Sequence, residues 1–360
     1  MIVKVYRVGI VGMGFGQKVH APGFYHHPRF ELVAVAGARA GSADALAKAT
    51  GARAYDDWRA LVDGADVDVV SIATAPHLHA PVALRTIERG RSVLLEKPTA
   101  FDAREAGAIV EAARAQGVFG AIVHEFRYRP ERLAVYEAIR QGTIGRVLAV
   151  HVTTHNGALG AMAKTPVSWL FRAESGGGYL GAIASHAVDT VQWWAGEEIV
   201  RVWADLRAVA AIRPSPGGGD ERITAEDSFV VVFHFASGAV ATLIFSTAGA
   251  GFGERWEVLG ERGAIRVEGS RVELSEAGKP GPHELPVGEL LGEAPAVPGA
   301  APDPRTPPFV RLLDRYARAL DGDRSARAEL ATLEQGLRVQ RVLDGARLAS
   351  ATGGAVRLLP

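Results

Sequence analysis

Residues 8–20 read VGIVGMGFGQKVH, an apolar run that breaks into glycines at 12, 14 and 16 before a segment of helical character begins. A strand, a glycine turn and a helix in that order suit a dinucleotide. The first glycine permits the tight turn, the second lets the backbone approach a pyrophosphate, and the next helix presents its free N–H groups to that charge. The usual spacing puts a third glycine at position 17, where this chain has Gln17, with Gly16 one place early. The reading therefore rests on what surrounds the turn. Gly12, Gly14, Phe15 and Gly16 are its candidate cofactor contacts.

Working outward, β-rich runs at Tyr6–Val11, Phe30–Ala36, Val67–Ile72, Ser92–Leu95 and Val118–Val123 alternate with alanine-rich segments near 16–26, 42–50, 77–89 and 102–115. That alternation predicts right-handed βαβ units and a parallel sheet covered on both faces, with ligands at the carboxyl ends of the strands. The fold class is thus α/β: an N-terminal Rossmann dinucleotide-binding domain over residues 1–123.

Beyond residue 124 the texture changes. A helix near 130–141 leads into VLAVHVTTH, a glycine turn at Gly176–Gly178 precedes a second helix, and Ile199 to Leu274 is mostly strands joined by short turns. This predicts a C-terminal α+β domain over 124–360 with a large, mainly antiparallel open sheet. Nine of the nineteen prolines fall in 277–308, which reads as a surface loop. Two terminal helices are expected, Phe309–Leu320 and about Ala326–Leu348, with room to pack back on the N-terminal domain.

Composition excludes several function classes. Forty basic residues balance forty acidic ones, which argues against a nucleic-acid partner or an anionic membrane surface. There is no cysteine, so thiol nucleophiles and cysteine zinc sites are excluded. No apolar run approaches the roughly 20 residues of a membrane span, and the N-terminus lacks a signal-peptide pattern, so a cytoplasmic protein is expected. His77 and His79 stand two apart, and His151 and His155, four apart, fall in the strand-like run VLAVHVTTH rather than on a helix, so no metal is indicated.

The second strand ends in Gly37-Ala38-Arg39 with Ser42 following, and no carboxylate occurs before Asp44. An acidic residue there would favour a ribose 2′-hydroxyl, whereas Arg39 and Ser42 suit a 2′-phosphate, so NADP(H) is favoured over NAD(H).

The run SIATAPHLHAPVALRTIERGRSVLLEKPTA resembles the pattern of the Gfo/Idh/MocA oxidoreductases, in which a strand, a turn and a histidine lead through a helix to Glu-Lys-Pro. GRVLAVHVTTHN, SWLFRAESGGGYLGAIASHAVDTVQWWAG and the closing helices extend the resemblance over essentially the whole chain. It implies a nicotinamide-dependent oxidoreductase acting on a sugar, a cyclitol or a related alcohol or ketone, with Lys97 beside the nicotinamide as proton donor or acceptor. Glu96 would hold Lys97, and the peptide before Pro98 is often cis in the family. Only six lysines stand against thirty-four arginines, which makes a lysine at this position the more telling.

The resemblance also implies that His186 supports the reacting oxygen and that Asp189 contacts substrate or orients the histidine. The helix is expected to set Ala182, His186 and Asp189 on one face at i, i+4 and i+7. The family usually has aspartate where Ala182 stands. Its loss either shifts the reaction onto Lys97 with His186 or signals another substrate. It also leaves open a cofactor-binding sensor without turnover, and a reductase of a less polar carbonyl or imine. Arg127, His155 and Asn156 are candidate substrate contacts, while Thr74 and His79 are candidates to line the cofactor cleft. Relatives use the open sheet face to assemble, so a homodimer or homotetramer is expected.

Overall fold

The computed structural model describes residues 4–157, 166–247, 251–288 and 292–358. The chain divides into two compact units, Met1–Tyr128 with Leu291–Leu337, and Arg129–Leu290 with Arg338–Pro360. The division differs from a single cut near residue 123, because 291–337 returns to the first unit. The returning apolar residues Phe309, Leu312, Leu313, Tyr316 and Leu330 are buried there in one cluster with Phe24, Val8 and Leu32.

In the first unit the strands are β1 (Tyr6–Val11), β2 (Phe30–Ala36), β3 (Arg53–Tyr55), β4 (Val69–Ile72), β5 (Ser92–Leu95) and β6 (Gly120–Ile122), all parallel. They lie in the order β6-β5-β4-β1-β2-β3, with Ala331–Thr332 added antiparallel at the β6 edge. The helices between them are α1 (Ala21–His26), α2 (Asp44–Thr50), α3 (Trp58–Gly64), α4 (His79–Glu88) and α5 (Ala103–Gln116). Strands covered on both faces are near-continuous apolar runs, and β4 is buried at every position, with Ser71 its one polar side chain.

Register sets up the site. Val11 pairs with Ile72, Ile72 with Leu95 and Leu95 with Ile122, so the four strands end in line. The residues that follow each of them emerge along one edge: Gly12, Thr74, Glu96 with Lys97, and His124.

β3 and α3 were not foreseen from sequence. They are short, and Asp57 starts α3 by accepting a hydrogen bond from the Arg59 N–H at 3.0 Å. The expected helix over 16–26 opens as a wide π-type turn, Gly16–His20, before α1.

The second unit contains α6 (Pro130–Arg140), β7 (Val147–Asn156), α7 (Ser185–Ala195), β8 (Ile199–Arg207), β9 (Ile212–Pro214), β10 (Asp220–Arg222), β11 (Ser228–Phe235), β12 (Val240–Ser246), β13 (Phe252–Gly260), β14 (Gly263–Glu268), β15 (Arg271–Glu276) and β16 (His283–Glu284). Its nine-stranded sheet runs β16-β15-β14-β13-β7-β12-β11-β8 and closes with Val356–Arg357. Pairing is antiparallel except between β7 and β12. Alternate side chains such as Val150, Val152, Val231, Phe233, Leu243 and Trp256 form a core with Val188, Val191 and Trp194 of α7. On the opposite face Trp203, Val230, Ile244 and Leu259 stay exposed.

The expected single helix over 326–348 is broken. Arg324–Glu329 is one helix, Ala331–Thr332 is the edge strand, and Leu333–Thr352 is another helix. The apolar spacing that suggested continuity serves separate cores, since Leu330 is buried in one cluster, Leu333 in a second and Val339 in a third.

Candidate active site

In the first unit the glycine turn is shaped as the motif requires. Gly12 has φ +113°, and a Cβ there would overlap the Ala73 carbonyl, so no other residue fits without displacing backbone. A Cβ on Gly14 would meet nothing within 4 Å, which leaves the backbone open to a close-lying ligand. Gly16 packs on Ile10 and Ala73. Phe15 is half-buried beneath the Arg305 guanidinium, which lies 4.7 Å from its ring centre. Asp303 fixes Arg305 through two hydrogen bonds, of 2.8 and 2.5 Å. The proline-rich segment thereby delivers a cation to the turn, a contact the sequence reading missed.

Thr74 ends the turn after β4, and its buried Oγ1 has no hydrogen-bond partner among the described residues. An orphaned buried hydroxyl at the carboxyl edge of a parallel sheet fits a ligand that supplies the missing bond. Arg39 and Ser42 are both exposed after β2, with the Ser42 hydroxyl donating to the Arg39 carbonyl at 2.5 Å.

His79 does not line a cleft. It is completely buried, with Nδ1 2.8 Å from the Pro98 carbonyl and Nε2 3.1 Å from the Thr74 carbonyl. Burial pulls its proton affinity below the ordinary histidine range, against the opposing influence of the two carbonyls. It ties the Thr74 turn to the Glu-Lys-Pro turn, a strut where sequence placed a contact.

The Lys97–Pro98 peptide is cis. Every residue from Val93 to Ala100 is buried except Lys97, whose side chain keeps 15% of its exposure. Glu96 is buried at its side, with Oε2 accepting from the Lys97 backbone N–H at 3.2 Å and standing 3.9 Å from Nζ. Its other oxygen, Oε1, meets His20 Nε2 at 3.0 Å. Burial alone would raise the Glu96 carboxyl, yet the hydrogen bond from His20 and the Lys97 charge hold it below the usual range. His20 and Ser71 carried no sequence signal beyond being polar residues in apolar surroundings. Arg127 is buried in the turn Glu125–Tyr128, with Nη2 3.4 Å from Gln335 Oε1.

In the second unit β7 ends at His155, which is exposed, and Asn156, half-buried. His155 lies on the wall of a cleft of about 800 Å³, with Arg129, Arg132, Trp194, Glu254 and Trp256. Arg132 is buried over Trp256 at 4.1 Å, donating to Thr190 Oγ1 at 2.7 Å and to Glu254 Oε1 at 2.9 Å. His186 and Asp189 are buried in α7, three residues apart. Thr190 and Trp194 continue the His186 stripe at i+4 and i+8, so that stripe reaches the cleft.

The expected common face for Ala182 is not an α-helical one. Residues Leu180–Ala184 form a wide π-type turn, so the phase changes between Ala182 and His186. Glu226 builds that turn: Oε1 accepts from the Leu180 N–H at 2.9 Å, and its carbonyl accepts from the Tyr179 N–H at 3.1 Å. Gly178, at φ +109°, makes room, because a Cβ there would strike the Glu226 carboxylate.

Comparison with known proteins agrees with this geometry. Residues 6–124 match the oxidoreductase family with an NAD-binding Rossmann fold, and residues 133–266 match the GFO/IDH/MocA C-terminal domain. An uncharacterised oxidoreductase of Synechocystis sp. is 30% identical over 94% of this chain and 92% of its own. The chain belongs to the Gfo/Idh/MocA oxidoreductase family. Inositol 2-dehydrogenase of Rhizobium meliloti is 32% identical over 74% of this chain and 76% of its own. A levoglucosan dehydrogenase solved with NADH and levoglucosan shares the fold, with a TM-score of 0.85 and 24% identity over 99% of this chain and 100% of that one. This family member is therefore an oxidoreductase of dehydrogenase type with an NAD-binding Rossmann domain. Among the described residues no helix is long and apolar enough to cross a membrane.

Proposed function

We propose that the protein interconverts an alcohol and a ketone on a sugar or cyclitol, with Lys97 as the proton donor or acceptor and His186 assisting at the reacting oxygen. The observation that carries this reading is Lys97 itself, the one accessible group in a buried turn, braced by a buried carboxylate at the carboxyl edge of the parallel sheet. A nicotinamide dinucleotide, when bound, takes up or returns the hydride of the carbinol carbon. In oxidation the carbinol O–H bond breaks and its proton passes to the Lys97 amine; in reduction the ammonium returns it.

Gly12, Gly14, Phe15 and Gly16 would hold the pyrophosphate side of the dinucleotide, and Thr74 Oγ1 would find its partner there. Asp189, Arg127, His155 and Asn156 would contact the substrate hydroxyls. Relatives named for inositol and levoglucosan support a polyhydroxylated ring as substrate. Arg39 supports NADP(H) over NAD(H), and Arg39→Ala should lower kcat/KM for NADP⁺ while leaving that for NAD⁺ within about twofold. The exposed sheet face with Trp203, Val230, Ile244 and Leu259 would join copies of the chain into a dimer or tetramer; Trp203→Glu should lower the mass seen by light scattering.

A second reading, a cofactor-binding sensor, is favoured by one feature: Ala182 occupies the position where the family usually has a carboxylate. Absorbance of the reduced cofactor separates the two. Incubation with NAD⁺ or NADP⁺ and a panel of sugars and cyclitols should give turnover, and His186→Gln should slow it by about 10- to 100-fold. Tight cofactor binding with no turnover on any panel member would favour the sensor.

A further inference from the structure

His20 is fully buried at the end of the wide turn that follows the glycines, and the proton transfer described above makes no direct use of it. Its ring is held from four directions. Nδ1 lies 2.8 Å from Ser71 Oγ and Nε2 lies 3.0 Å from Glu96 Oε1. Phe309 stacks on it at 4.5 Å with planes 10° apart, and Phe15 meets it edge-on at 5.6 Å. Such restraint costs side-chain freedom and serves no packing need that a leucine could not meet.

An ionised carboxylate only accepts hydrogen bonds, so the contact with Glu96 places the ring hydrogen on Nε2. Nδ1 is then left to accept from the Ser71 hydroxyl, which β4 holds fully buried. Glu96 is thereby divided between two partners: Oε1 belongs to His20, while Oε2 faces the backbone N–H and the Nζ of Lys97.

We propose that His20 is a positioning residue for Lys97, acting through Glu96: it keeps the carboxylate ionised and turned so that one oxygen always faces the lysine. This rests on the reading of Lys97 as the proton-carrying group. The element that would cradle the dinucleotide is thus tied through the side chains of His20 and Glu96 to the group that moves the proton. Other titratable or charged groups of the first unit face the pair. His79, buried on α4, lies in the field of both Glu96 and Lys97. Arg305, itself in the field of Glu125, stabilises its charge partly through Glu96.

Losing the His20 hydrogen bond has a signed consequence. Burial then drives Glu96 to take up a proton, and its negative charge beside Lys97 disappears. His20→Leu and His20→Gln separate this from packing, because glutamine offers both a donor for Glu96 and an acceptor for Ser71. In His20→Leu, kcat should fall by about tenfold or more, KM for the cofactor should stay within about twofold, and the acid-side limb of the kcat/KM profile should move to lower pH. His20→Gln should recover most of the loss.

An activity-free readout accompanies these: acetylation of Lys97 by acetic anhydride at one fixed pH, followed on the whole protein by peptide mass spectrometry. The Lys97 rate should rise by about tenfold in His20→Leu and stay near wild type in His20→Gln. Equal Lys97 labelling in wild type and His20→Leu overturns the proposal, as does a glutamine variant as impaired as the leucine one. If His20→Leu fails to fold, Ser71→Ala, which unfastens Nδ1 alone, should raise labelling by about two- to threefold, and no change there is equally fatal. Should Lys97→Ala retain turnover, the reading of Lys97 fails, yet the labelling arm still reports whether His20 governs it.

Discussion

Two buried charged networks, one in each unit, differ in a way that separates chemistry from support. In the first, Ser71, His20 and Glu96 are buried in series and the series ends at Lys97, which solvent reaches. In the second, Arg213 and Asp227 are both completely buried, 3.5 Å apart, with Arg213 over the Phe171 ring at 4.2 Å. Asp227 also accepts from the backbone N–H groups of Val209 and Ala210 at 2.7 and 2.9 Å. A network closed at both ends can only hold the chain in place, whereas one with an open end can pass its charge state to a ligand. The two should therefore fail differently when cut.

The largest expected effect lies in the closed network. Asp227→Ala leaves the Arg213 charge buried without its carboxylate and should cost about 3–5 kcal/mol, read as a drop in the urea midpoint. Lys97→Ala in the same assay should cost under about 1 kcal/mol, since the ammonium is part-exposed and 3.9 Å from its partner. Comparable losses from the two would erase the distinction.

Next come the glycines that shape each region. Gly12→Ala drives a Cβ into the Ala73 carbonyl, which is backbone and cannot yield, so about 3 kcal/mol should be lost together with cofactor affinity. Gly178→Ala meets the Glu226 side chain instead, and the loss should be nearer 1–2 kcal/mol. Thermal melting of the two variants, with and without cofactor, ranks them.

The smallest effect depends on pH. Burial holds the Glu226 carboxyl above the ordinary range, so the folded chain binds that proton more tightly than the unfolded chain does. Its contribution to stability is then greatest at low pH and is lost as pH rises from the usual glutamate range through the folded value. Glu226→Gln removes this titration and can keep the hydrogen bond from Leu180. Its stability relative to wild type should improve steadily from about pH 4 to pH 7 in chemical unfolding. A difference that does not vary with pH would mean that the turn is not under strain from this charge.

The first unit was more legible in the sequence than the second, for physical reasons. Strands covered on both faces carry near-continuous apolar runs, so Val8–Val11, Leu32–Ala36 and Val93–Leu95 declare the cores of β1, β2 and β5, and Gly12 and Lys97 follow directly from where those strands end. The three residues of β3 and the seven of α3 carry too little pattern to stand out. His20 meets Glu96 across 76 positions, and no local spacing encodes that contact. His79 looked like a lining residue because it follows the β4 turn, but its ring is completely buried, with one nitrogen beside each of two backbone carbonyls. In the second unit Ala182 and His186 appear to share a face only if the helix is regular, and a wide turn intervenes. The break at Leu330 was hidden by apolar residues that keep one spacing while serving different cores.

Hydride transfer in Lys97→Ala, measured in a single turnover with cofactor already bound, tests the central claim most directly. Proton transfer through Lys97 predicts a rate lower by about 10²- to 10⁴-fold with cofactor affinity within about threefold of wild type. A rate within about twofold of wild type would contradict it.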